Sequence, residues 1–84
     1  MFYLYVLKSA KDSKSYIGST GDLRKRVAEH KAGKVQSTKP RLPLELVYYE
    51  AYKDGKDARL REASLKLKSR AYAQLRKRIR RSLA

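Results

Sequence analysis

The chain contains no cysteine, which removes disulfides and thiolate metal sites from consideration. It has one histidine, His30, and so cannot build a histidine-rich zinc cluster. No apolar run approaches the roughly 20 residues of a membrane span. The opening stretch from Met1 to Leu7 lacks the basic start and cleavage site of a signal peptide, so a cytoplasmic address and no membrane partner are expected. No repeat and no low-complexity linker interrupts the 84 residues, which read as one domain, 1–84, with a core able to fold alone but with little surplus. Acid is the scarcest property: 8 Asp+Glu stand against 22 Lys+Arg, a formal net charge of +14. Such an excess opposes compaction by self-repulsion and points to a polyanionic partner. Nucleic acid leads. An anionic membrane surface is a distant second, because the basic residues are spread along the whole chain, and a merely solubilising surface mixes the two signs more evenly.

What is present alternates between two periodicities. Residues Phe2 to Ser9 put Phe2, Leu4 and Val6 on one face of a strand and Tyr3, Tyr5 and Leu7 on the other. A polar turn around Asp12 and Ser13 leads to a second strand, Ser15 to Ser19, antiparallel to the first because the connection is short. Tyr16 and Gly18 share one face of it and Ile17 takes the other. A helix follows from Leu23 to Ala32, capped by Asp22 and stopped by Gly33. After an extended loop, Lys34 to Pro43, a third strand runs from Leu44 to Tyr52, with Leu46, Tyr48 and Glu50 on one face and Val47, Tyr49 and Ala51 on the other. A helix from Ala58 to Lys68, capped by Asp54 or Asp57, offers two stripes: Leu60, Ala63 and Leu67, or Ala58, Glu62 and Leu65. In a last helix Tyr72, Leu75, Ile79 and Leu83 recur at helical spacing. The expected fold is α+β: a three-stranded, mainly antiparallel sheet flanked by helices, in the order β-β-α-β-α-α.

The stretch from Tyr16 to His30 concentrates chemistry. Residues four apart share a helix face, so Arg26 and His30 project together while Leu23 and Val27 form an apolar stripe for the sheet. Arg24 lies on a different side of the helix, so at most one of the two arginines faces the tyrosines. Taken alone, Tyr5 and Tyr16 read as a cross-strand aromatic pair. By the same measure His30 reads as a surface or helix-end histidine, and Glu62 as an i,i+4 partner for Lys66.

Tyr3-Leu4-Tyr5, ten intervening residues, Tyr16-Ile17-Gly18 and the downstream Arg26 together resemble the GIY-YIG nuclease domain. That family includes phage homing endonucleases, the incision subunit of bacterial nucleotide excision repair, junction nucleases and many short stand-alone bacterial proteins, to which this chain is most similar. The resemblance implies a metal-dependent endonuclease that hydrolyses phosphodiester bonds in nucleic acid, DNA before RNA. It places the two family tyrosines on Tyr5 and Tyr16, the catalytic arginine on Arg26, a further His/Tyr position on His30 and the metal-binding glutamate on Glu62. Two features depart from the pattern: Tyr3-Leu4 replaces Gly-Ile in the first motif, and a late asparagine of longer members has no counterpart in a chain without asparagine.

The residue types suit that chemistry. An arginine can fork two hydrogen bonds onto non-bridging phosphate oxygens and does not lose its proton. A lone carboxylate such as Glu62 suits one Mg²⁺ (or Mn²⁺) that keeps several waters. Tyr5, Tyr16 and His30 are rival general bases, with ordinary pKa values near 10 and 6.5. A strongly positive field and a nearby metal would favour a phenolate.

Lys34, Thr38, Lys39 and Arg41 in the loop, with Lys66, Lys68, Arg70, Arg76, Lys77 and Arg80 towards the C-terminus, form the expected nucleic-acid surface, one that grips backbone without reading sequence. Two other readings stay open: a DNA- or RNA-binding protein that keeps the fold without turnover, and a domain that docks on protein. A homodimer is also open, since a domain making one cut at a time needs a second copy to cut both strands.

Overall fold

The structure is a computed structural model that describes residues 1–67 and 69–84. Its order is β1 (Phe2–Ser9), β2 (Ser15–Thr20), α1 (Leu23–Lys31), a 3-10 turn (Lys39–Arg41), β3 (Leu44–Tyr52), α2 (Gly55–Leu67), α3 (Ser69–Arg78) and α4 (Arg80–Leu83). The expected α+β architecture is present, and all three strands are antiparallel in the order β2-β1-β3.

Strand β1 is central, and this explains why Leu4, Tyr5, Val6 and Leu7 are all buried. Leu4 and Val6 join Ile17, Leu65, Leu75 and Ile79 in a core under α2 and α3. Tyr5 and Leu7 join Leu44 on the opposite face, where Leu23 and Val27 of α1 pack against them. Each element contributes one apolar face, so the sheet is covered on both sides.

Local signals set the helix ends. The Asp22 carboxylate accepts from the Lys25 N–H at 3.1 Å, and Gly33, at φ +74°, closes α1 with bonds from Gly33 N to His30 O and from Lys34 N to Glu29 O. Asp54 rather than Asp57 caps α2, accepting from Lys56 N at 2.8 Å, and the helix starts at Gly55, earlier than the expected Ala58. The final helix is interrupted at Ile79, which leaves α4 as a separate turn.

Of the two stripes on α2, Ala58 and Leu65 supply the buried face, because the sheet lies on that side. Leu60, Ala63 and Leu67 face solvent, with Leu60 and Leu67 63% and 82% exposed. One sequence expectation needs correction. On β3 the alternation slips by one residue: Val6 pairs with Tyr48 but Leu7 pairs with Leu46. The resulting bulge at Val47 sends Leu46 to the α1 side and leaves Val47 and Tyr48 against the α2–α3 core.

Beyond the bulge, regular alternation places Tyr48, Glu50 and Tyr52 together beneath Arg61 of α2. The Glu50 carboxylate accepts from the Tyr48 hydroxyl at 2.5 Å, from the Tyr52 hydroxyl, and from Arg61 Nε and Nη2 at 3.0 and 3.2 Å. Burial alone would raise the Glu50 pKa, but these donors outweigh it and hold the carboxyl below its ordinary value. Burial and the same carboxylate push Tyr52 up to about 12. A folded-state pKa below the unfolded one stabilises fully above the unfolded value and is lost as pH falls through the folded value. Glu50→Gln should therefore cost about 1–3 kcal/mol at pH 7. The gap from wild type should close under acid conditions, below the folded-state pKa of Glu50, as read from thermal unfolding across pH. A constant gap at every pH would contradict the ionic role of Glu50.

Candidate active site

The site is assembled at the β2 side of the sheet, where Gly18 leaves room for a ring. An added Cβ at Gly18 would lie 2.5 Å from the Tyr5 hydroxyl oxygen and 2.6 Å from Cζ. Tyr5 therefore lies across the β2 backbone at the one position without a side chain. Asp22 fixes the start of α1, and Leu23 and Val27 hold it down, so its i,i+4 pair Arg26 and His30 faces Tyr5. Three rings then form a triangle, with centroid separations of 6.3 Å for Tyr5–Tyr16, 5.6 Å for Tyr5–His30 and 5.1 Å for Tyr16–His30.

His30, in the last turn of α1, is fully buried rather than on the surface. Its Nε2 lies 2.9 Å from the Tyr5 hydroxyl and its Nδ1 2.8 Å from Thr38 Oγ1. The Thr38 hydroxyl in turn donates to the Val35 carbonyl at 3.4 Å. Because a carbonyl only accepts, the chain has one consistent direction: Nδ1–H donates to Thr38, and Nε2 accepts from Tyr5. Burial, with Arg26 nearby, lowers the His30 pKa and keeps the imidazole neutral.

Burial pushes the Tyr5 phenol above its ordinary value, although Arg26 and its charge pull the other way. The expectation of a phenolate, which included a nearby metal, is not met at Tyr5 by the protein's own charges. Desolvation outweighs the guanidinium. Arg26 has its own pKa raised, chiefly by Tyr5 and then by Glu29, to which it donates at 3.2 Å in a part-exposed ion pair. Such a pair is weak and easily exchanged for a phosphate. Arg24 stands apart, exposed on the side of Tyr3 and Tyr49.

Glu62 reaches the site from the other face of the sheet, around the edge strand β2. One oxygen accepts from Ser19 Oγ at 2.5 Å and the other from Lys66 Nζ at 2.7 Å. The Lys66 ammonium in turn sits 5.7 Å from the Tyr16 ring centre. Burial works to raise the Glu62 pKa, but Lys66 and Ser19 hold it below the ordinary carboxylate value, so it is ionised. Among the described residues no group of three or more His, Asp or Glu could cage a metal. The donors present, one ionised carboxylate and the part-buried serine hydroxyl bonded to it, fit a hard divalent ion that keeps most of its waters. Lys66 marks the same spot as a place for positive charge.

The expected nucleic-acid surface divides. Lys34, Lys39, Arg70, Arg76, Lys77 and Arg80 are exposed, and Lys66 is exposed while paired with Glu62. Thr38 is not on the surface at all: it is fully buried as the partner of His30. Arg41 is a half-buried strut, with Nε 3.3 Å from Asp12 and its Nη2 enclosed. Lys68 lies outside the described residues.

A family model for the GIY-YIG catalytic domain matches residues 1–79. The chain belongs to the GIY-YIG family. Its match takes in every element from β1 to α3, and with them Tyr5, Tyr16, Arg26, His30 and Glu62. It is similar to a UPF0213 protein of Streptococcus pyogenes serotype M5, 44% identical over 73 residues that cover 86% of this chain and 77% of that protein. It is also similar to a UPF0213 protein of Streptococcus pneumoniae serotype 4, 42% identical over 69 residues, 81% of this chain and 69% of the other. No solved structure matches it. GIY-YIG is a nuclease family, and among the described residues no helix is long and apolar enough to cross a membrane.

Sequence reasoning gave Thr38 the wrong role and passed over Ser19. The alternation of β2 carried a signal for Ser19, which sits opposite Gly18 in the pleat and so faces α2. For Thr38 no local pattern points at a histidine eight residues away across a turn. The close approach at Gly18 is testable. Gly18→Ala should cost about 1–3 kcal/mol through overpacking and displace Tyr5, seen as a lower unfolding midpoint and shifted His30 ring resonances. Unchanged resonances would show that Tyr5 does not depend on that gap.

Proposed function

We propose that the protein is a metal-dependent endonuclease that hydrolyses phosphodiester bonds in nucleic acid, DNA in the first instance, in the cytoplasm. The observation that carries this reading is the Tyr5 hydroxyl set between Arg26 and the neutral Nε2 of His30, with Tyr16 beside it. A neutral imidazole that accepts a hydrogen bond from Tyr5 can draw the phenol proton as the phenol oxygen takes one from the attacking water. The bond from that water oxygen to phosphorus forms as the bond to the leaving oxygen breaks, and the leaving oxygen is protonated from solvent. Tyr16, whose hydroxyl has no hydrogen-bond partner among the described residues, lines the other wall and orients the water. Arg26 exchanges Glu29 for the non-bridging phosphate oxygens and meets the charge that builds there. Glu62, with Ser19, would hold Mg²⁺ or Mn²⁺ in place of the Lys66 ammonium, and the ion supplies charge stabilisation when bound. Lys34, Lys39, Arg70, Arg76, Lys77 and Arg80 serve as backbone contacts. A homodimer would let two copies cut both strands.

A plasmid-nicking assay with Mg²⁺ or Mn²⁺, and then with EDTA, tests the reading. Wild type should nick only with metal. Arg26→Ala and Glu62→Gln should each lose at least about 100-fold in rate while binding DNA nearly as well. Either variant cutting at the wild-type rate would remove that residue from the mechanism. Tight, salt-sensitive binding without metal-dependent nicking would favour a binding protein that keeps the fold without turnover.

A further inference from the structure

Beside the site, between the β1–β2 hairpin and α3, lies a groove of about 560 Å³ that shares Lys66 and Arg76 with the proposed mechanism. Its floor is apolar, made by Ile17 and Leu65, and cations stand around it: Lys8, Lys14, Lys66 and Arg76. Among the described residues no carboxylate lines it. Lys8 donates to the Leu83 carbonyl, which neutralises none of its charge, while Lys14 and Arg76 are exposed. The Tyr72 ring also lines the groove, with the Arg76 guanidinium 5.8 Å from its centre.

We infer that this groove is a subsite for one unpaired nucleotide flanking the scissile phosphate, so that the substrate is DNA with a flap, bulge or single-stranded branch. The inference rests on the nuclease reading and specifies its substrate. The volume falls in the range of small-ligand pockets and suits a single nucleotide. An apolar floor with a tyrosine and a guanidinium plane offers the surfaces on which bases stack, and the surrounding cations match the phosphates on either side. A base held in a duplex is turned towards its partner and cannot enter such a groove, whereas an unpaired one can. Lys66 joins groove to site, because its ammonium lies both 2.7 Å from Glu62 and 5.7 Å from the Tyr16 ring centre. A nucleotide seated in the groove therefore adjoins Glu62 and Tyr16.

The test is fluorescence anisotropy in EDTA with labelled DNA of matched length: a perfect duplex, the same duplex with one bulged nucleotide, and one with a short flap. Wild type should bind the bulged and flapped forms at least fivefold more tightly than the duplex. Tyr72→Leu should remove that preference while leaving duplex affinity unchanged. Because Tyr72 also touches the core, Lys14→Gln provides an exposed second variant that should reduce the preference at unaltered thermal stability. Lys77→Gln, away from the groove, should weaken all three alike. Equal affinity of wild type for all three DNAs, or a preference that survives both Tyr72→Leu and Lys14→Gln, would overturn the subsite. Repeating the panel with Mg²⁺ separates the two claims: preference without cutting refutes the nuclease and keeps the groove, and cutting without preference does the reverse.

Discussion

The contact on which this structure depends is the buried hydrogen bond between the Tyr5 hydroxyl and His30. A phenol and an imidazole removed from water are costly unless each finds a partner. Here each does, because β1 is central enough to bury Tyr5, Gly18 leaves its ring space, and α1 delivers His30 at the right turn. The chain then ends at a backbone carbonyl, Val35, that can only accept. The same burial that makes the pair structurally demanding favours the neutral form of both groups.

Much of this was legible in the sequence because it rests on local periodicity. Alternation in β1 and β2, the Asp22 cap, the Gly33 stop and the i,i+4 spacing of Arg26 and His30 all act within a few residues, and all are found as expected. The misreadings share a cause. The Val47 bulge and the burial of Thr38 are decided by what lies across the sheet or the loop, which spacing along the chain does not record. The placement of Glu62 shows the same limit. Its stripe pointed inward, yet only the sheet order β2-β1-β3 shows that it reaches the tyrosines around an edge strand.

Charge has two roles in the molecule. Most of the basic excess stands at the surface, where it favours a polyanion at the expense of self-repulsion. The few carboxylates sit where one is needed: Glu50 gathers two tyrosines and Arg61, Glu29 holds Arg26, and Glu62 holds Lys66. Two of those three pairs flank the site, so cations there are kept in position yet can be released to a stronger anion.

The segment after α1 is lashed to the hairpin. Ser9 Oγ donates to the Arg41 carbonyl at 2.5 Å, Ala10 N to the Pro43 carbonyl at 2.9 Å, and Arg41 Nε to Asp12 at 3.3 Å, while Thr38 is tied to His30. A wall fastened at so many points is fixed to the sheet, so the backing it gives His30 is set by the fold itself.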